Sequence, residues 1–186
     1  MLTKERYQLQ RLTLLALLTA MCVVLRVFKA IDIPNVQPVT DIIMLTTLEL
    51  GAGTGILLAI LVMVISNIFL GFGLWTLPQI FAYAVCALSV ALLAKLLPLK
   101  RRKFFWLQEL LAGFLGLEYG FFVSLGMAGW GGWAAFIAYW VSGLTFDLYH
   151  AAGNLAFYPI LYLPLILGLD RFKKKAGWKQ NAQSLH

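Results

Sequence analysis

Apolar residues dominate the chain in long runs, and polar residues are confined to short interruptions between them. A helix that crosses a bilayer needs roughly 20 apolar residues, and fewer when neighbours shelter it. By that measure the first helix covers about Leu9 to Phe28, followed by the proline-containing loop "KAIDIPNVQP" at 29–38. A short apolar segment at 39–50 reads as a second span and is broken by "GAGTG" at 51–55. The third helix is expected at about 56–70, with "GFGLWT" at 71–76 as a turn, and the fourth at about 77–97, ending in "LPLKRRK". A fifth covers about 104–127 up to the glycine-rich "GMAGWGGW" at 126–133. The last stretch, 134–169, exceeds one ordinary span, so it is expected to begin as a loop or interfacial helix and to become the sixth span near Ser142 and Gly143.

Composition agrees with this pattern. Of 186 residues, 61% are hydrophobic and 12% charged, and mean hydropathy is +0.84. A soluble domain of this size has no interior large enough for so much apolar surface. No low-complexity run or internal repeat divides the chain, so residues 1–186 are expected to form one all-α membrane domain. A cleaved signal peptide fits poorly, because the first apolar run continues past Met21 without a small-x-small site.

Charge sets the orientation. The net charge is +7, but the cations are clustered: Lys4, Arg6 and Arg11; Lys95 with "KRRK" at 100–103; and "RFKKK" at 171–175 with Lys179. Thirteen of the fifteen Lys and Arg fall in these groups, leaving only Arg26 and Lys29 elsewhere. Basic clusters beside apolar spans mark the cytoplasmic side. Six spans with both termini cytoplasmic satisfy all three, and a nucleic-acid partner is disfavoured.

Orientation then gives each polar residue a depth. Asn35, Gln37, Thr40 and Asp41 gather outside around the first loop. Asn67 falls near the outer end of helix three, and Trp75, Gln79 and Tyr83 near the outer start of helix four. Glu118 and Tyr119 belong to the outer half of helix five, and Asp147, His150 and Asn154 to that of helix six. Glu49 and Glu109 lie toward the cytoplasmic ends. An ionisable group inside a span costs about 2.5–3.5 kcal/mol on insertion scales and usually faces the bundle or a water-filled cavity. Asp147, His150 and Asn154 are spaced i, i+3, i+7 and share a face with Gly143 and Tyr158. Convergence of depth-matched polar groups from separate helices predicts an outward pocket. The competing reading is an Asp147–His150 pair that merely caps a hydrogen-bond network between helices.

Other features are less specific. Trp130, Trp133, Tyr139 and Trp140 stand among Gly126, Gly129, Gly131, Gly132 and Gly143, which suits either an interfacial belt or a mobile lid with stacking surfaces. Ala16 and Ala20 form a small-xxx-small pair that permits close helix approach. Cys22 and Cys86 lie within apolar spans and read as small buried hydrophobes. A lone internal histidine without ligand spacing predicts no metal site. No nucleophile elbow, P-loop or HExxH sequence is present, so neither catalysis nor a cofactor is expected, and active transport would draw energy from a partner or an ion gradient.

Taken together, these residues resemble the substrate-binding S components of energy-coupling factor (ECF) vitamin transporters. The features that carry the resemblance are the small size, six expected spans, "A16-x-x-x-A20", the "PNVQPVTDI" loop at 34–42 and "FDLYHAAGN" at 146–154. The resemblance implies a multi-pass protein of the bacterial plasma membrane that binds a vitamin from outside. It implies partners too: a transmembrane coupling subunit contacted through Ala16 and Ala20, and two cytoplasmic ATPases. Ligand release would follow toppling of the subunit in the membrane. The Pro-Asn-x-x-Pro loop and the polar face of helix six would line the substrate. Cobalamin or a related corrinoid is the expected ligand, since amides at Asn35, Gln37, Asn67, Gln79 and Asn154 and the tryptophans suit a large amide-bearing molecule. A queuosine precursor, riboflavin or another flat heterocycle is the alternative. Rival classes are a proton-coupled carrier using Asp147, His150 and Glu118, an intramembrane enzyme and a ligand-free scaffold.

Overall fold

The computed structural model describes residues 4–28 and 33–176, and all of its regular structure is helical. Helix α1 is Lys4–Val27, α2 Val39–Leu50, α3 Ala52–Leu70 and α4 Thr76–Leu96. A 3₁₀ turn, Arg102–Phe104, leads into the helical run Phe105–Ala176. That run is broken at Gly131 and Gly132, where Gly132 has φ +65° and ψ −164°, a conformation open almost only to glycine. The break separates α5 (105–130) from α6 (133–176), and the two form an antiparallel hairpin.

The core is built around the shortest helix. Eleven of the twelve residues of α2 are buried, all but Glu49, and it packs against α1, α3, α4 and the α5/α6 hairpin. A helix apolar on every side is stable only when surrounded. Twelve residues rise about 18 Å, well short of the ~30 Å hydrocarbon layer, and the neighbours supply the missing cover. The outer faces of the other helices carry exposed Leu12, Leu17, Leu92, Phe114, Ile160 and Leu163. Four helical runs are long and apolar enough to cross a membrane: Glu5–Val27, Ala52–Leu70, Thr76–Leu96 and Arg102–Ala176, the last holding both α5 and α6.

The expected boundaries shift where glycines serve packing rather than turns. α3 begins at Ala52 instead of 56, because Gly55 lies against Thr47 of α2, where a Cβ would overlap the threonine side chain. α5 continues through Gly126, which packs on Pro78 of α4, so the expected loop at 126–133 shrinks to two residues. The expected loop or interfacial helix before Ser142 is instead the start of one continuous helix. Its residues 133–146 hold no proline, and a single interior glycine, Gly143, costs only about 1 kcal/mol.

The three basic clusters meet at one end. Arg102 pairs with Asp170 at 2.7 Å, and Lys173 pairs with Asp170 at 2.8 Å and also with Glu49. Arg6 and Gln10 of α1 line a cavity of about 310 Å3 together with Phe172 and Lys175 of α6. Lys179 and Lys29 lie outside the described residues.

Candidate functional site

The polar face expected on α6 exists, and it divides into two parts. Its lower part is a seam with α5. Asn154 donates from Nδ2 to the Ala112 carbonyl at 2.8 Å, and the Tyr158 hydroxyl donates to Gln108 Oε1 at 2.8 Å. Gln108 in turn donates to the Leu99 carbonyl. Close approach depends on small residues. A Cβ on Gly116 would lie 2.6 Å from the Ala151 nitrogen, and one on Gly120 would overlap the Asp147 carboxylate. Gly113, Gly116 and Gly120 are therefore a packing stripe, the kind of small-residue surface that lets two membrane helices meet.

Above the seam, residues from four helices converge. His150 Nε2 lies 2.6 Å from the Thr40 hydroxyl of α2, which also reaches the Tyr83 hydroxyl of α4 at 3.5 Å. Tyr119 of α5 closes the ring, 4.3 Å from Tyr83 and 5.1 Å from His150 between ring centroids. Asp41, the residue after Thr40 on α2, is 0% exposed, and neither carboxylate oxygen has a hydrogen-bond partner. His150 Nδ1, Asn154 Oδ1 and Thr46 Oγ1 are buried and unpaired as well. Buried polar atoms are nearly always satisfied in folded proteins, so orphans such as these call for a reason. The side chains around Thr40, Met44, Tyr83, Cys86 and Leu115 are packed too closely to admit even a water molecule, in place of the open pocket expected from sequence. Loop 33–38 lies against α6 next to the centre: Val36 rests on Gly153, where a Cβ would come within 3.2 Å of the Val36 Cα.

A second buried group adjoins the first. The Arg26 guanidinium, on a residue 7% exposed, donates to Ser66, to Asn67 Oδ1 at 3.2 Å and to Gln79 Oε1 at 3.4 Å. Sequence reasoning set Arg26 aside as a stray cation. The signal was its register: Leu15, Leu18, Cys22 and Arg26 recur at helical spacing, and all are buried. Thr40, placed outside by sequence but left out of the site, proves central to it.

The remaining expected residues are dispersed. Glu118 accepts a hydrogen bond from Ser89 at 2.5 Å in the α4/α5 contact and does not join the His150 ring. Asp147 is buried over Gly120, and His150 bonds Thr40 rather than Asp147, so the anticipated Asp147–His150 pair does not form. Asn35, at φ +62°, and Gln37 are half-buried in loop 33–38. Trp75 is exposed beside Gly73. Trp130 and Trp133 are exposed at the hairpin tip, which is held by its own aromatics: Phe136 stacks on Trp140 at 5.7 Å, with Phe121 edge-on to both. No group of three or more His, Cys, Asp or Glu among the described residues is arranged to hold a metal, and Cys22 and Cys86 are both free and buried.

Ala16 and Ala20 belong to a different surface. They line an apolar groove between α1 and α3, about 740 Å3 in volume, walled by Leu12, Val24, Leu57, Leu61, Ile65 and Phe69.

A family model described as "ECF transporter, substrate-specific component" matches residues 10–162, a span that includes the groove, loop 33–38 and the polar centre. No curated protein and no solved structure matches the chain.

Proposed function

The chain belongs to the ECF transporter substrate-specific component family, and on that premise we propose that it captures a vitamin-class micronutrient from outside the cell for an ECF importer. It is a membrane protein and a substrate-binding subunit of a transporter. The finer reading has six spans in a bacterial plasma membrane with both termini cytoplasmic. It is supported by the gathering of all three basic clusters at one end of the helices.

One observation carries the binding assignment: the Asp41 carboxylate and His150 Nδ1 are buried and unpaired, with His150 at the junction of α2, α4, α5 and α6. These groups await donors and acceptors that the protein does not supply, as a pre-formed polar site would. Ligand entry displaces loop 33–38 and parts the close-packed side chains at Thr40 and Tyr83. A flat heterocycle with hydrogen-bonding edges suits this site better than a corrinoid. Asn67 and Gln79 are already engaged with Arg26, and the exposed Trp130 and Trp133 stand apart from the polar centre. A cobalamin-sized ligand would require the α5/α6 hairpin to swing away.

The α1/α3 groove, floored by Ala16 and Ala20, is the docking surface for the transmembrane coupling subunit, and ATP hydrolysis resides in two cytoplasmic partners. Toppling of the loaded subunit against that surface delivers the ligand. A proton-relay carrier is disfavoured because Glu118 is paired with Ser89 and His150 with Thr40, which leaves no continuous chain of titratable groups. Reconstitution in liposomes tests the assignment. Uptake should require the coupling subunit, the ATPases and ATP; uptake by this chain alone under a proton gradient would sink it.

A further inference from the structure

Arg26 holds a buried charge in a socket that does not neutralise it. Its three acceptors, Ser66, Asn67 and Gln79, are all neutral. Among the described residues no carboxylate lies within ion-pair distance of it; the ion pairs of Glu49 and Asp170 lie at the basic end. Removing a cation from water without a counter-charge is costly, so its retention requires compensation. The position also runs against the charge asymmetry that places the other clusters at the opposite end.

The socket is braced. Asn67 Nδ2 donates to Thr76 Oγ1 at 3.1 Å and to Gln79 Oε1 at 3.2 Å, which turns Asn67 Oδ1 toward the guanidinium. Thr76 Oγ1 is itself held by the Gly73 backbone N–H at 3.2 Å. A guanidinium has five N–H donors. Both Nη1 hydrogens are used on Ser66 and Asn67, and one Nη2 hydrogen on Gln79, while Nε makes no hydrogen bond. The unused pair, Nε–H and the second Nη2–H, forms one edge of the fork that grips a carboxylate or phosphate through two parallel bonds.

This edge is continuous with the polar centre. Gln79 and Tyr83 lie about one turn apart on the same face of α4, about 6 Å along the axis; Gln79 holds Arg26 while Tyr83 belongs to the His150 ring. We propose that Arg26 is the anion-binding element of the substrate site, and that the transported molecule is an acid whose carboxylate or phosphate seats on the Nε–Nη2 edge one helical turn outward of its heterocycle. The inference rests on the substrate-binding reading above and narrows its ligand to an anionic class.

Matched probe pairs differing only in the anionic group test it on detergent-purified wild type by thermal shift and calorimetry. Biotin with biotinamide, nicotinate with nicotinamide, and pantothenate with pantothenol isolate a carboxylate. Riboflavin phosphate with riboflavin, and pyridoxal phosphate with pyridoxal, isolate a phosphate. Small molecules released from the purified protein are identified by mass spectrometry in parallel. The expected result is an anionic bound molecule, or an acid that binds where its neutral partner does not. Affinity should fall roughly 30-fold or more in Arg26→Gln and partly recover in Arg26→Lys, which restores the charge without the fork. A neutral ligand held equally by wild type and Arg26→Gln overturns the anion site while leaving the binding function intact. Wild type that neither carries nor binds any small molecule overturns the binding reading together with the inference.

Discussion

The α1/α3 groove and the centre beside loop 33–38 are built on opposite principles. The groove is open and apolar, and it is lined by small alanines that leave room for another backbone. The centre is closed and polar, with Asp41, His150 and Asn154 holding unpaired atoms away from water. In a bilayer an apolar groove has no hydrophobic reason to close, so what draws a partner there is close packing, for which small residues are suited. Buried polar orphans are costly in any medium, and a ligand that satisfies them is bound with matching selectivity. On the proposed reading, coupling and recognition sit on separate surfaces, with α1 contributing Ala16 and Ala20 to one and Arg26 to the other.

If that division holds, the two surfaces can be broken independently. The largest effect is expected from Ala20→Trp. Ala20 is exposed at the groove, so the indole fills the partner's place without disturbing the core. Uptake in the reconstituted importer should drop to background while ligand affinity stays at the wild-type value. A parallel loss of binding would show that the groove and the centre are one site.

A smaller effect is expected from Asn154→Leu. It removes the 2.8 Å bond to Ala112 that ties α6 to α5, at a cost of about 0.5–1.5 kcal/mol in stability, since the Ala112 carbonyl keeps its place in the α5 helix. Affinity should fall only modestly, since the amide nitrogen is engaged in the seam. A thermal midpoint equal to wild type with a severe loss of binding would move Asn154 from the seam into the ligand site.

Much of this arrangement is legible in the sequence. Hydrophobic runs and their glycine breaks locate α1 to α4 to within a few residues. The i, i+3, i+7 spacing places Asp147, His150 and Asn154 on one face, and that face is the buried one. The gathering of the three basic clusters at one end of the helices is legible too, because Lys4, Arg6 and Arg11 and the groups at 95–103 and 171–175 each stand at the end of an apolar run.

What was hidden depends on which partner each side chain meets. Gly113, Gly116 and Gly120 read as ordinary spanning residues until α6 lies against them. Polar depth alone grouped Glu118 with His150, although Ser89 on the neighbouring helix claims it. Glycines near tryptophans suggested a loop, yet Gly126 serves contact with Pro78, and only Gly131 and Gly132 leave the helical conformation. Arg26 was overlooked because charge counting treats a lone cation as noise, whereas its helical register with Cys22 marks a buried position.

The central claim is that the unpaired groups at Asp41 and His150 form the substrate site. Its most direct test is the small-molecule content of detergent-purified protein by mass spectrometry, comparing wild type with the Asp41→Asn/His150→Ala double variant and with Ala20→Trp. The account predicts one retained ligand per wild-type and per Ala20→Trp molecule, and none in a double variant that remains folded by circular dichroism. Equal retention in all three proteins would contradict it and return the polar centre to a purely structural role.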